Sequence, residues 1–411
     1  MNAIARYLTI LLCLMATACQ ERPAIDFDRV EALMDPHPDS ALALLDTLHA
    51  EPQHYTAKDR ARYYLLLTEA KDKCFLTHTT DTLIRFSAEY YEQHNDRHHY
   101  AKALYLQGRI YEDWRENDQS VACWVKALDY GKDSEDHFLL FRIASRIGIR
   151  YAYQDDVTHA MEYCQQALRY AIAANDSSSI SYAHSYLARV HSLKKERAEA
   201  ASEYEKAIAI ALAASDAADA LRLATKECIG IYTKQRAYDK ADSLISVVQA
   251  DSNMEKNGPY YLVIGDYYRY VNDSAKAIPY LLEAMRLGNF YTKCSAGQAL
   301  SYLYEQYGMK KEQKAYERLI KQYTDSIKSK EAGTVFASAS IYQQEKTEHL
   351  FIQMARRIAA LLLVLSLLFL VAWQRRKRAQ DTFAAEQERQ IKSLLLQLHD
   401  LEAEKERIER E

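Results

Sequence analysis

The sequence predicts an all-α chain: a solenoid of stacked helix pairs, one transmembrane helix and a short cytoplasmic coiled coil. Three observations carry this prediction. The 411 residues include only 10 glycines and 6 prolines, so few positions can break a helix. A pattern of small and large residues recurs about every forty residues. One uncharged apolar segment, Ile358–Trp373, lies near the C-terminus.

The first nineteen residues have the features of an export signal. Arg6 supplies a positive charge, the apolar segment Tyr7–Met15 follows, and small residues at 16–18 form a cleavage site. We expect a signal peptide over residues 1–18. Cys19 directly after this site resembles the lipidated cysteine of a lipobox. Both signal peptidases would cut at the same bond, so lipidation of Cys19 stays open. We favour lipidation, because two anchors hold more firmly than one.

Residues 95–323 contain an internal repeat. In each unit the first helix has a large residue, then a large–small pair and an aromatic residue at three-residue intervals. The second helix then alternates small and large residues. Five units share this register, with the small positions at Gly108, Gly148, Ala188, Ile229 and Gly265 and the matching large positions at Trp124, Cys164, Tyr204, Ile245 and Leu281.

This pattern predicts helices that pack closely in pairs, since a small residue on one helix lets a large one approach from the other. One pair cannot bury its apolar face alone, so the pairs must stack. The repeat is longer than the usual thirty-four residues, which predicts longer helices joined by polar elbows near residues 131–134, 175–177 and 215–216. Residues 19–94 are predicted to be degenerate repeats, and 299–323 a last pair interrupted near Gly308.

In these repeat residues and the order of its parts, the chain resembles bacterial membrane proteins with tetratricopeptide (TPR) repeats. In that group an export signal precedes the repeats, and one late transmembrane helix leads to a cytoplasmic coiled coil. The resemblance covers nearly the whole chain and implies a TPR-like α-solenoid. Some relatives of this layout continue into a transcriptional domain or a sensor kinase. Residues 375–411 are too few for either module.

Charge on either side of the apolar segment predicts its orientation. Residues 375–378 are Arg-Arg-Lys-Arg, whereas only Arg356 and Arg357 precede the segment. By the positive-inside rule, a transmembrane helix over 357–374 places the tail in the cytoplasm. We therefore expect a single-pass inner-membrane protein with a periplasmic solenoid. Residues 324–356 are expected to form a connecting helix, although Gly333 interrupts them.

The tail, residues 375–411, is predicted to be a charged helix with one apolar face. Its apolar residues fall on the a and d positions of a heptad register and are predicted to form a parallel homodimer. They are Ile391, Leu394, Leu398, Leu401 and Ile408. A shared membrane anchor would raise the effective concentration of the partner helix. The alternative is a lone juxtamembrane helix, because short helices are costly to nucleate.

Composition and motifs exclude several classes of function. A net charge of −4 gives no basic surface for nucleic acid. Seven cysteines without CxxC spacing argue against a disulfide framework or a zinc site. No P-loop, GxGxxG, GxSxG, HExxH or EF-hand sequence is present. His184 and His191 share a helix face, but both occupy repeat positions and are expected to pack. We predict no catalytic, cofactor-binding or metal-binding residue.

The first helices of the units are predicted to build a concave face with alternating cations and tyrosines. Such side chains suit an extended peptide or an acidic glycan, and equally an ordinary solvated surface. The residues are Lys102, Tyr105, Arg109, Arg142, Ser145, Tyr182, Arg189, Lys226, Arg269 and Tyr270. The asparagines of the carboxylate clamp found in chaperone-binding relatives are absent from these positions.

Together these features predict a non-enzymatic transducer or adaptor. Its exported solenoid would bind a protein or peptide, and the dimerising tail would report the event. Two alternatives stay open. The protein could be an envelope scaffold or assembly factor with a passive anchor, or a sensor kinase or transcription regulator whose output domain is missing.

Overall fold

A computed structural model describes residues 26–47, 55–331 and 337–408. All regular secondary structure in these residues is helical. Cys19 and the expected signal peptide lie outside them, as does Gly333. The helices are α1 (Phe27–Met34), α2 (Pro38–Thr47), α3 (Ala57–Lys73), α4 (Thr82–Gln93), α5 (Arg97–Asp113), α6 (Asn117–Gly131), α7 (His137–Tyr153), α8 (Val157–Ala174), α9 (Ser177–Leu193), α10 (Arg197–Ala213), α11 (Ala218–Gln235), α12 (Tyr238–Ala250), α13 (Gly258–Tyr270), α14 (Ser274–Leu287), α15 (Phe290–Gln306), α16 (Lys310–Glu331) and α17 (Ala337–Ile408).

Helices α1 to α16 form consecutive pairs, each an odd-numbered inner helix packed against the even-numbered outer helix that follows. The predicted small-to-large contacts are present. A Cβ atom at Gly108 would lie 2.3 Å from the ring nitrogen of Trp124. Trp124 is fully buried, and its indole N–H donates to the carbonyl of Tyr105. Equivalent contacts join Gly148 to Cys164 and Gly265 to Leu281.

Polar residues cap most of the inner helices, including Asp176 at the predicted elbow 175–177, and they also cap the outer helices α8 and α14. Asp156 and Asp273 each accept a hydrogen bond from the backbone N–H three residues later, which caps α8 and α14. Asp155 and Asn272, one residue earlier, have positive φ angles of 57° and 62°. Two details differ. Helix α7 is capped by Asp136, just beyond the predicted elbow at 131–134. At the elbow predicted for 215–216, α11 begins after Ala217, which makes no side-chain capping hydrogen bond.

The degenerate ends are also helical pairs. Helix α1 ends at Met34, and α2 follows after a short turn. Both pack on α3, where Phe27, Val30 and Leu45 share one buried cluster. At the other end, Gly308 takes a φ of +68° between α15 and α16. Glycine adopts that angle at the lowest steric cost, which explains the interruption seen in the last pair.

Successive inner helices contact one another along the stack, with one weak point. Helices α3 and α5, α7 and α9, α9 and α11, α11 and α13, and α13 and α15 approach closely. Between α5 and α7 the backbones are further apart. Charged side chains occupy this wider gap, which we call the α5–α7 seam.

Ile341–Glu411 is a second unit, supplied by α17. Within Tyr342–His399, an 18-residue window has a mean hydropathy of 2.2 and is not buried at all. By length and composition, this helix can cross a membrane. The large apolar residues of the segment, such as Leu363 and Phe369, are more than half exposed.

Candidate ligand-binding groove

The inner helices α7, α9 and α11 line a groove made of two contiguous cavities. The first cavity has a volume of about 790 Å³ and the second about 470 Å³. Four side chains line both cavities and mark the place where they join: Ile149, Tyr186, Arg189 and Leu223. Since each cavity is large enough for several side chains, the groove can hold an extended chain of atoms.

Helical spacing explains why these residues face the groove. The small residues of each inner helix, such as Gly148, turn one face toward the outer helix. Arg142, Ser145, Arg146 and Ile149 follow one another at intervals of three, one and three residues, so they share another face of α7. All four line the first cavity.

A charged cluster fills the α5–α7 seam behind the first cavity. Glu112 accepts from Arg146 at 2.9 Å and from Arg150 at 2.7 Å, and it also pairs with Arg109. Arg109 reaches Asp72 on α3 at 3.0 Å. Although burial opposes it, these arginines lower the pKa of Glu112. The cluster therefore ties three inner helices together through two carboxylates.

A second network stands at the junction of the two cavities. Arg189 donates two hydrogen bonds to Glu227 on α11, at 2.7 and 2.5 Å. The hydroxyl of Tyr204 donates to the same carboxylate at 2.9 Å. A bidentate pair of this kind has its charges matched and its geometry fixed. Arg189 is therefore committed to the protein, with little charge left for a ligand.

The second cavity is mainly apolar, and one of its walls comes from a later helix of the solenoid. Its walls include Ala152, Leu193 and Pro259, the last from α13. Tyr153 at its edge meets the ring of Tyr291 on α15, with centroids 5.6 Å apart. These two residues are 138 positions apart, so the solenoid curves far enough to bring α15 to α7. The groove is thus enclosed on more than one side.

The structure brings together some of the predicted concave-face residues and separates others. Arg142, Ser145, Tyr182 and Arg189 line the first cavity, and Lys226 lines the second. Arg269 and Tyr270 line a separate cavity of about 420 Å³. There, Arg269 pairs with Asp266 at 2.5 Å and lies over the ring of Tyr270. Whether these residues bind a partner stays a prediction.

Three of the predicted residues differ from the expected open surface. Tyr105 is only 2% exposed, because the guanidinium of Arg142 covers its ring at 4.8 Å. Lys102 pairs with Glu69 at 2.6 Å, and Arg109 belongs to the seam cluster. The concave face is predicted to alternate free cations with tyrosines, but several of its cations form ion pairs with carboxylates of the protein.

Sequence reasoning missed the carboxylates that pair with these cations, and also Arg146 and Tyr186. A signal for two of them existed. Asp72 and Glu112 are forty residues apart, the length of one repeat, so they occupy equivalent positions on successive inner helices. Each of these carboxylates forms an ion pair with Arg109. Acidic residues at one repeat position could have been matched with the arginines near them.

Other chemistry in the groove is accounted for by packing. Burial raises the pKa of the Cys164 thiol to about 12, so it is protonated at neutral pH. His184 and His191 each contact a glutamate, Glu203 and Glu196, at 2.6 and 2.7 Å. In the described parts of the chain, no group of three or more His, Cys, Asp or Glu side chains is placed to hold a metal ion.

In the second unit, the predicted coiled-coil residues Ile391, Leu394, Leu398 and Leu401 are each more than half exposed. The side chain of Ile408 lies outside the described residues. Homodimerisation through these coiled-coil residues stays a prediction.

Comparison with solved structures shows a helical-repeat fold. The chain is similar to a Rap protein complexed with competence and sporulation factor, at 13% identity and a TM-score of 0.50, over 79% of this chain and 94% of that one. It is similar to the apo form of RapI, at 14% identity and a TM-score of 0.53, over 71% and 81%. It is also similar to NprR in complex with its cognate peptide NprX, at 14% identity and a TM-score of 0.51, over 79% and 98%.

These neighbours are TPR-like helical repeat proteins, so the solenoid predicted from the sequence is confirmed. At such low identity the likeness shows the fold alone. No protein-family model matches the chain, and no curated protein matches it.

Proposed function

We propose that this protein is a membrane-anchored, TPR-like module that binds a peptide or a peptide segment of a protein in the groove. The observation that carries the proposal is the pair of contiguous cavities along α7, α9 and α11. The groove offers aromatic and aliphatic walls with a few fixed polar groups, which suits peptide recognition. Two of the similar structures are complexes, one of a Rap protein with competence and sporulation factor and one of NprR with its cognate peptide NprX.

The test is selection of peptides from a random library on the full-length protein in nanodiscs, followed by affinity measurement. Leu223→Glu places a charge where the two cavities join and should weaken a selected peptide by at least about tenfold, since a carboxylate there must be desolvated. Leu212→Glu is the matched control, because Leu212 lies on the outer helix α10 and is 67% exposed. Equal loss in both variants, or no loss in either, would contradict the proposed groove.

The module is proposed to act at the inner membrane, with the solenoid periplasmic and the tail cytoplasmic. Support comes from the apolar helix within Tyr342–His399 and from the basic residues 375–378 that follow the apolar segment. Trypsin added to intact spheroplasts should digest the solenoid and spare an epitope at the C-terminus. Digestion of the epitope in intact spheroplasts would show that the C-terminus lies outside the cytoplasm and would contradict the proposed topology.

We further propose that ligand binding is relayed to a homodimer of the tail. The exposed leucines of the tail support this, because a row of apolar residues in water is stabilised by packing against a partner helix. Disulfide cross-linking of Ile391→Cys and Leu398→Cys, with and without a selected peptide, tests the relay. A cross-linking pattern that the peptide leaves unchanged argues for a passive anchor, as in a scaffold.

The proposed module is non-enzymatic and needs no cofactor. The ion pairing and the protonation of two side chains in the groove support this proposal. Arg189 is committed to Glu227, and the Cys164 thiol is kept protonated by burial. Neither group is available as an activated nucleophile or base.

A further inference from the structure

Two polar side chains in the first cavity have unused hydrogen-bonding capacity. Arg142 approaches Asp72 only to 3.7 Å, and within the described chain it donates no hydrogen bond. Ser145 is 5% exposed, and its hydroxyl has no hydrogen-bond partner among the residues that the structure describes. Both side chains line the first cavity. A buried hydroxyl without a partner is costly, and a guanidinium offers five donors. Together they are placed to receive an acceptor from a ligand.

The charge around these donors favours an anionic acceptor. Counting Arg142, the seam holds four arginines against two carboxylates, an excess of two positive charges. These residues are Arg109, Arg142, Arg146 and Arg150 against Asp72 and Glu112. Nearby cations outside this group, Lys73 and Lys102, are each paired with a carboxylate. One carboxylate bound by Arg142 would reduce the excess.

Other charges in the same cavity limit the ligand to a single acidic group. Asp35, Asp176 and Asp216 also line the first cavity. Asp176 caps α9 by accepting from the backbone N–H of Ser179 at 2.7 Å, so its position is fixed. A polyanion would bring further negative charges toward these carboxylates, which disfavours an acidic glycan.

We propose that Arg142 and Ser145 bind one carboxylate of a peptide whose apolar side chain occupies the second cavity. This inference rests on the proposed function and names its ligand class. The distance between the two sites sets the spacing. From Ser145 to Ala152, seven residues of α7 span about 10 Å. An extended peptide advances about 3.3 Å per residue. The apolar residue should therefore lie about three positions from the carboxylate.

The probe is a set of acetylated hexapeptides in an Ala/Ser background, measured on the full-length protein in nanodiscs. One glutamate and one leucine are placed one to five positions apart, with an amidated C-terminus. A second series lacks the glutamate and ends in a free carboxylate. We expect binding in one or both series, strongest near a spacing of three. Glutamine in place of glutamate should weaken binding about 10- to 100-fold, the typical effect of losing a charged hydrogen bond.

Variants of the protein locate the site. Arg142→Gln should weaken the glutamate peptide to the affinity of its glutamine counterpart, and Ser145→Ala should weaken it by a smaller factor. Arg169→Gln is the control, since Arg169 is an exposed arginine on the outer helix α8. Circular dichroism of all three proteins checks that the solenoid is folded. The comparison of glutamate with glutamine peptides needs no variant and stands even if one of them unfolds.

The outcomes separate this inference from the proposed function. If neutral or basic peptides bind as well as acidic ones, and Leu223→Glu abolishes that binding, the groove binds peptides but the carboxylate site is wrong. If Arg142→Gln binds the glutamate peptide like the wild type, the site is also wrong. If no peptide of any charge binds, both proposals fail. Tighter binding with each added glutamate would overturn the limit to one acidic group.

Discussion

The junction within each helix pair and the seam between α5 and α7 solve the same packing problem by opposite means. Within a pair, a small residue meets a large one, as Gly108 meets Trp124, and the contact is apolar and close. In the seam the backbones stand apart, and arginines and carboxylates fill the gap. Close apolar junctions stabilise the solenoid, whereas the open charged seam leaves room for a groove beside it.

The largest effect is expected at an apolar junction. Trp124→Ala removes a fully buried indole and its hydrogen bond to Tyr105, so the free energy of unfolding should fall by about 4 kcal/mol. Urea unfolding of the full-length protein in mild detergent, followed by circular dichroism, measures it. Leu212→Ala, at an exposed position, should change the value by less than about 0.5 kcal/mol. Similar losses in both variants would mean that the pair junctions do not carry the stability.

The seam should respond to pH as well as to mutation. Glu112→Gln leaves three arginines without their shared carboxylate and should cost about 3 kcal/mol of unfolding free energy at pH 7. The arginines hold the pKa of Glu112 below its ordinary value of 4.5, so its stabilisation is full above that value and is lost as the pH falls through the lowered pKa. The difference between the variant and wild type should therefore shrink in acid. A difference that is independent of pH would contradict the ion-pair account.

Two glycines should respond to the same substitution with opposite signs. A Cβ at Gly265 would lie 2.9 Å from Leu281, so Gly265→Ala should destabilise by about 1–3 kcal/mol. At Gly230, on an inner helix but away from the pair contact, the nearest atom would be 3.7 Å away. Gly230→Ala should therefore stabilise, by up to about 1 kcal/mol. Two destabilised variants would show that the inner helices are crowded on every side.

The smallest effect concerns the thiols. Burial raises the pKa values of Cys123 and Cys164 to about 12, so neither should react with iodoacetamide at pH 8 in the folded protein. Both should react in urea. Mass spectrometry of labelled peptides reads this out, and rapid labelling of Cys164 under native conditions would mean that the groove wall opens.

Much of the fold could be predicted because its contacts are local in sequence. Gly108 and Trp124 are sixteen residues apart and belong to one pair, so the repeat pattern itself encodes their meeting. The capping aspartates, such as Asp156, act on the helix that follows them. Local rules of this kind are enough to predict the pairing of the helices and the approximate positions of the turns between them.

The groove depends on contacts that the repeat pattern does not encode. Arg189 pairs with Glu227 on the next inner helix, and the ring of Tyr153 contacts that of Tyr291 across the solenoid. Such meetings follow from the curvature of the stack, which sums many small rotations between pairs. The cations of the concave face could be placed from the sequence, but among their partners only Asp72 and Glu112 have a signal in the repeat. Tyr105 is predicted at the surface but is buried, because Arg142 on the next inner helix covers its ring.

Hydrogen–deuterium exchange of the full-length protein in nanodiscs tests most directly whether the groove binds peptide. It compares the free protein with its complex with a peptide selected on the wild type. Our account predicts added protection in the inner helices α7, α9 and α11, since ligand binding suppresses local opening where contacts form. The outer helices α8, α10 and α12 should exchange nearly as before. Protection confined to the outer helices, or none in α7 and α9, would contradict a peptide-binding groove.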